Sequence, residues 1–101
     1  MYTVIRNYTG APGFADELKK SSKSIETEIS SVPGFIAYYL LKTGDGATSV
    51  TVCEERKGCD ESTTRAANWI NKNLPNMKIK PPQVIAGDVS FKFANYKTVK
   101  A

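Results

Sequence analysis

Residues 32–55 read Val-Pro-Gly-Phe-Ile-Ala-Tyr-Tyr-Leu-Leu-Lys-Thr-Gly-Asp-Gly-Ala-Thr-Ser-Val-Thr-Val-Cys-Glu-Glu. Pro33-Gly34 stops a helix, two runs of β-branched and aromatic residues follow, and Thr43-Gly44-Asp45-Gly46 is the turn between them. The stretch is a β-hairpin. On its first strand Phe35, Ala37, Tyr39 and Leu41 fall on one face and Ile36, Tyr38 and Leu40 on the other, so both faces are apolar. An antiparallel strand normally shows one face to water, so a strand apolar on both sides calls for two covers. The returning strand sets Thr48, Val50 and Val52 against Ala47, Ser49, Thr51 and Cys53. That second set is small and mildly polar, suited either to a packed position or to one wall of a pocket.

Outward from the hairpin the other elements fall into place. Tyr2 to Thr9 is a first strand, ended by Gly10-Ala11-Pro12-Gly13. Phe14, Leu18, Ile25, Ile29 and Val32 recur at helical spacing, with Ser21 and Ser22 in the one gap, and predict an amphipathic helix of about five turns. Asp16 and Glu17 lie in its first turn, where negative charge suits the helix dipole. A second helix is expected from an Asp60 N-cap, with Ala66, Trp69, Ile70 and Leu74 on its inner side and Pro75 at its end. After the rigid Pro81-Pro82 segment, the run from Gln83 to Phe93 reads as a last strand with Gly87 as a candidate bulge.

The order strand-helix-strand-strand-helix-strand predicts an α+β ferredoxin-like plait, a four-stranded antiparallel sheet with two helices on one face. One domain is expected over residues 1–93, with a C-terminal tail at 94–101. The sheet's other face then needs a ligand, a second subunit, or both.

Composition removes several functions. The 101 residues are 41% hydrophobic and 24% charged, as in an ordinary soluble domain. No apolar run approaches the roughly 18 residues of a membrane span and no secretory signal is visible, so a cytoplasmic location is expected, with no membrane partner. The net charge of +4 comes from scattered lysines, not a basic block, and reads as solubility, with no nucleic-acid partner. Cys53 and Cys59 are expected as reduced thiols and, without any histidine, hold no metal. The lack of histidine also removes Ser-His and Cys-His nucleophiles.

Val32-Pro33-Gly34-Phe35 leading into an aromatic strand, Trp69 on the second helix, and Pro81-Pro82-Gln83-Val84-Ile85-Ala86-Gly87-Asp88-Val89 together resemble the dimeric α/β-barrel superfamily, in particular the antibiotic biosynthesis monooxygenase-like domains. The resemblance implies a homodimer in which two plaits join through their open sheet faces into a barrel. It implies a pocket for an aromatic or polyketide-like small molecule and cofactor-free oxygenation. Haem-degrading members pair an Asn on the first strand and a Trp on the second helix with a His; Asn7 and Trp69 stand in matching places and the His has no counterpart. No cofactor is therefore expected.

As catalytic candidates, Asn7 is either a donor to a substrate oxygen or an amide bonded to backbone, and Trp69 is either core or the wall against an aromatic substrate. Tyr38 and Tyr39 point to opposite faces, so one of them faces the barrel side, where a tyrosine either lines a substrate pocket or carries its hydroxyl to water at a subunit interface. Arg6, beside Asn7, is expected at the surface or an interface. Cys53 reads as a small buried residue and pocket neighbour, and Cys59 lies near a helix N-terminus, where thiol pKa values fall. Asp88, a carboxylate inside a strand, is either a base or a solvated edge residue. The rival reading is a non-catalytic small-molecule-binding or stress-related barrel protein. RNA-recognition plaits stack bases on aromatics of the third strand, and Thr48 to Cys53 has none; acylphosphatases need an arginine loop where Thr9 to Gly13 stands.

Overall fold

The computed structural model describes residues 1–95; the rest of the expected tail lies outside the described residues. Strands β1 (Tyr2–Tyr8), β2 (Phe35–Thr43), β3 (Gly46–Cys53) and β4 (Gln83–Asp88) form one antiparallel sheet in the order β2-β3-β1-β4. Helices α1 (Phe14–Lys20), α2 (Ser22–Ser30) and α3 (Arg56–Asn73) pack on one face, and a 3₁₀ turn at Pro75–Met77 leads toward β4. This is the ferredoxin-like plait expected from the order of elements.

Alternation along β1 fixes which residues meet the helices. Val4, Arg6 and Tyr8 are buried beneath them, while Thr3, Ile5 and Asn7 lie on the other face. The register extends both sets across the sheet. Leu40, Ser49, Arg6 and Val84 align on the helix side, and Tyr39, Val50, Ile5 and Ile85 align on the open side. Tyr39 is 51% exposed and Ile85 70%, so among the described residues nothing covers this apolar row.

Four sequence expectations are corrected. The helix expected over residues 14–32 is two helices broken at Ser21 (φ −109°), because two successive serines favour helix weakly and the break lets Leu18, Ile25 and Ile29 all face the sheet. The helix expected to start at Asp60 starts at Arg56 after an extended Glu55, held by buried Gly58 and Cys59 and not by a side-chain cap. Gly87 pairs in register with Thr3 and forms no bulge, and β4 ends at Asp88. The irregularity lies instead at Ile36 between Phe35 and Ala37, so Phe35 pairs with Cys53 and packs with Val4 and Val32 on the helix side.

The Val32-Pro33-Gly34 turn is where the hairpin meets α3. Gly34 takes φ +69°, a left-handed conformation suited to glycine at a helix exit. A Cβ on Gly58 would come 2.2 Å from the Pro33 carbonyl oxygen and 3.1 Å from Cys53 Sγ, so only glycine allows α3 to start this close to the turn. Gly58→Ala is expected to cost roughly 2–3 kcal/mol and lower the melting temperature by about 10 °C or more; an unchanged melting temperature would show that α3 can shift away freely.

Candidate functional site

Three elements enclose a space on the helix side of the sheet. The break between α1 and α2 stands away from edge strand β2, and the gap is a groove of about 860 Å³. Leu18, Ile25, Ile29, Phe35, Tyr38 and Leu40 form its apolar wall. Asp16 and Lys42, paired at 3.1 Å, mark its outer rim. Leu18, Ile25, Ile29, Tyr38 and Leu40 also border an inner cavity of about 30 Å³ that ends on Arg6, Tyr8, Ser49 and Trp69. That inner space holds one or two water molecules, not an aromatic ring.

Trp69 is positioned by both helices. Its indole Nε1 donates to Ser24 Oγ at 2.9 Å, its ring lies in the main core with Tyr8 and Phe14, and it borders the inner cavity. Arg65, one helical turn earlier, donates to the Glu28 carbonyl oxygen at 3.0 Å and to the Ser31 hydroxyl. These contacts fasten the end of α2 to α3 and hold the groove's far wall.

The floor of the cavity is Arg6, which is 1% exposed and not at the surface or an interface as its place beside Asn7 suggests. Its Nε donates to Ser49 Oγ (3.2 Å), Nη1 to Ser62 Oγ (3.0 Å) and Thr63 Oγ1 (3.0 Å), and Nη2 to Thr51 Oγ1 (2.8 Å). All four acceptors are hydroxyls. Among the described residues no carboxylate pairs with Arg6. The hydrogen bonds replace much of the lost hydration but leave the positive charge unneutralised in a low-dielectric interior.

Two phenols lie in that field. Burial raises the pKa of Tyr38, with the nearby Arg6 charge and a hydrogen bond to Ser49 acting in the opposite direction. Burial raises that of Tyr8 as well, again partly offset by Arg6. Both therefore stay protonated at neutral pH.

The structure separates the other sequence candidates. Tyr38 borders both the groove and the inner cavity, whereas Tyr39 touches only the groove's edge and belongs to the exposed row on the open side of the sheet. Asn7 is also on that open face, where its Oδ1 accepts from Thr48 Oγ1 at 2.8 Å, so Asn7 and Trp69 lie on opposite sides of the sheet. Asp88 is exposed at the end of β4, paired with Tyr2. Cys53 sits in a second cluster with Val4, Val32 and Cys59, apart from the groove lining.

Both thiols are reduced and buried. Cys59 lies in the first turns of α3 but contacts the carbonyl oxygens of Tyr2 and Thr51 at 3.5 and 3.6 Å, without access to solvent. Among the described residues no group of His, Cys, Asp and Glu is placed to hold a metal ion.

Arg6 and its four hydroxyls are the residues that sequence reasoning misses. The signal lies in the alternation itself, since Arg6 shares a period-2 face with Val4 and Tyr8, and Ser49 and Thr51 share one with Cys53.

With this geometry in hand, comparison places the chain. Residues 1–55, more than half its length, match the antibiotic biosynthesis monooxygenase family, and the chain belongs to that family. Solved structures share the fold. A mutant of MhuD with two manganese protoporphyrin IX molecules bound per active site matches at 17% identity and TM-score 0.70, covering 94% of this chain and 100% of its own; MhuD is a heme-degrader from Mycobacterium tuberculosis. The monooxygenase from the gene ActVA-Orf6 of Streptomyces coelicolor, in complex with nanaomycin D, matches at 14% identity and TM-score 0.63, over 93% of this chain and 90% of its own. SnoaB, a cofactor-independent oxygenase from Streptomyces nogalater, matches in a mutant form at 12% identity and TM-score 0.62, over 93% of this chain and 97% of its own. No curated protein matches by sequence.

Burial raises the Cys53 thiol from 9.0 to about 11, with Cys59 beside it adding to the shift. A group whose folded pKa is raised contributes stability that is fully present below its unfolded pKa and lost as pH climbs through the folded value. The buried phenols Tyr8 and Tyr38 act in the same direction at higher pH. The melting temperature is expected to hold up to about pH 9 and fall steadily toward pH 11; a flat or rising profile across that window would contradict the burial of these groups as neutral species.

Proposed function

We propose that the groove binds a planar aromatic or polyketide-like molecule and that the protein promotes its cofactor-free oxygenation. The observation that carries this reading is Arg6, an unneutralised cation buried at the end of the inner cavity, behind the groove's apolar wall of Leu18, Ile25, Ile29, Tyr38 and Leu40 and away from its charged rim. A phenol or enol whose oxygen reaches the inner cavity meets the Tyr38 hydroxyl and the Arg6 field, and its anion is favoured there over the neutral form. The cavity takes the oxygen and the outer groove takes the rings, with Trp69 fixing the approach.

Such an anion is itself the reductant. It passes electrons to dioxygen, a carbon-oxygen bond forms at the activated ring carbon, the O–O bond breaks, and a methylene becomes a carbonyl as the second oxygen leaves as water. The protein supplies orientation, exclusion of water and stabilisation of the anion. In this scheme the proton goes to Glu28, the one acidic residue among those that border the inner cavity. The donor role expected of Asn7 passes to Tyr38 and Arg6 in this scheme.

The residues do not fit haem ligation. Neither the groove nor the inner cavity is lined by histidine, cysteine or methionine, and burial keeps Tyr38 protonated.

The same reading takes two copies joined through their open sheet faces, burying the Tyr39-Val50-Ile5-Ile85 row, as one domain per copy in the cytoplasm. Among the described residues no helix is long and apolar enough to cross a membrane. Oxygen uptake with a panel of anthrones and quinols tests the chemistry. Uptake is expected, reduced by about ten- to a hundredfold in Tyr38→Phe and also lowered in Trp69→Phe. Binding without uptake would favour the non-catalytic reading, and uptake indifferent to both substitutions would remove the site from the reaction.

A further inference from the structure

Arg6 has a second side. Past Tyr8 and Ile70, the chain from Ile79 to Pro82 and α3 together border a cleft of about 140 Å³ that reaches down to Arg6. Thr63, Ala67 and Asn71 of α3 form one wall, and Lys80, Pro81 and Pro82 form the other. The two prolines hold that wall stiff, since their rings fix φ.

The charge in this cleft is one-sided. Its lining holds two cations and no carboxylate. Neither Arg6 nor Lys80 forms an ion pair among the described residues. Lys80 Nζ stands over the end of β1, where a Cβ on Gly10 would come within 3.0 Å of it. Asp45 accepts the Gly10 N–H at 2.9 Å through one carboxylate oxygen and forms no ion pair with Lys80. Asn71 adds an amide donor and Tyr8 a hydroxyl.

We propose that the cleft between α3 and the Ile79–Pro82 segment is a binding site for a small oxyanion, a carboxylate or phosphate group, held by Lys80 above and Arg6 below. For a free anion the site stands on its own geometry, and only an anion carried by the groove's ligand rests on the proposed function. Charge-assisted bonds from a guanidinium and an ammonium are the stronger class of hydrogen bond, and a rigid cleft loses little order on filling. The oxyanion is either free in solution or carried as an acidic arm by the molecule in the groove, because Arg6, Tyr8 and Ile70 border both spaces.

Inorganic phosphate and acetate, titrated at fixed ionic strength so that general screening stays constant, provide the test. A saturable rise in melting temperature of about 5 °C is expected with at least one of them, with affinity about tenfold weaker in Lys80→Gln and unchanged in Lys57→Gln, at the other end of α3. Lys80 is exposed, so its substitution does not threaten the fold. A parallel titration compares 1-hydroxy-2-naphthoate with 1-naphthol. A Lys80→Gln penalty confined to the carboxylate assigns the oxyanion to the groove's ligand, and one seen with phosphate or acetate assigns it to a free anion. No saturable binding of any of these anions, or equal binding in Lys80→Gln, overturns the site.

Discussion

A guanidinium removed from water forfeits hydration worth several kcal/mol, and this protein meets that cost with four neutral hydroxyls on two elements. Ser49 and Thr51 come from β3 and Ser62 and Thr63 from α3, while Arg6 itself stands on β1. The cluster therefore ties the centre of the sheet to its long helix. It also sets the chemistry, because hydroxyls satisfy donors without cancelling charge. A carboxylate in any of the four places would make a closed salt bridge and leave the groove electrically neutral at its end.

The groove depends on that anchoring. With α3 held on the sheet by the Arg6 cluster and by the close approach at Gly58, α2 is fastened to α3 through Trp69–Ser24 and the Arg65 contacts. The break at Ser21 then leaves α1 and α2 standing off the edge strand β2. Apolar walls with a few polar groups converging at one end are the usual form of a small-molecule site. The polar end here is a cation beside two protonated phenols, which suits an acidic ligand better than a neutral one.

Much of the fold is legible in the sequence. The hairpin, the order of elements and the open sheet face follow from period-2 alternation, which tertiary packing seldom overrides. Boundaries are less so. Asp60 reads as a helix cap because its side chain suits one, but burial of Gly58 and Cys59 starts α3 four residues earlier. The site is half legible: Trp69 and Tyr38 reach the cavity, while Asn7 and Tyr39 face the other side of the sheet. Arg6 escapes a sequence reading because an arginine in an apolar strand is ordinarily a surface residue, and the hydroxyls that make its burial tolerable lie 43 to 57 residues away in the chain.

In the proposed site the end of the groove favours an anion, and the ionisation of a bound chromogenic phenol measures that preference directly. A nitrophenol or hydroxyquinone titrated by absorbance in the presence of saturating protein is expected to lose its proton about one pH unit or more below its value in free solution, as a nearby cation in a dry site requires. Conversion of Arg6 to lysine, which keeps the charge, is expected to retain most of that shift. A bound-phenol pKa equal to or above that of the free phenol would contradict that preference, since burial alone raises the pKa.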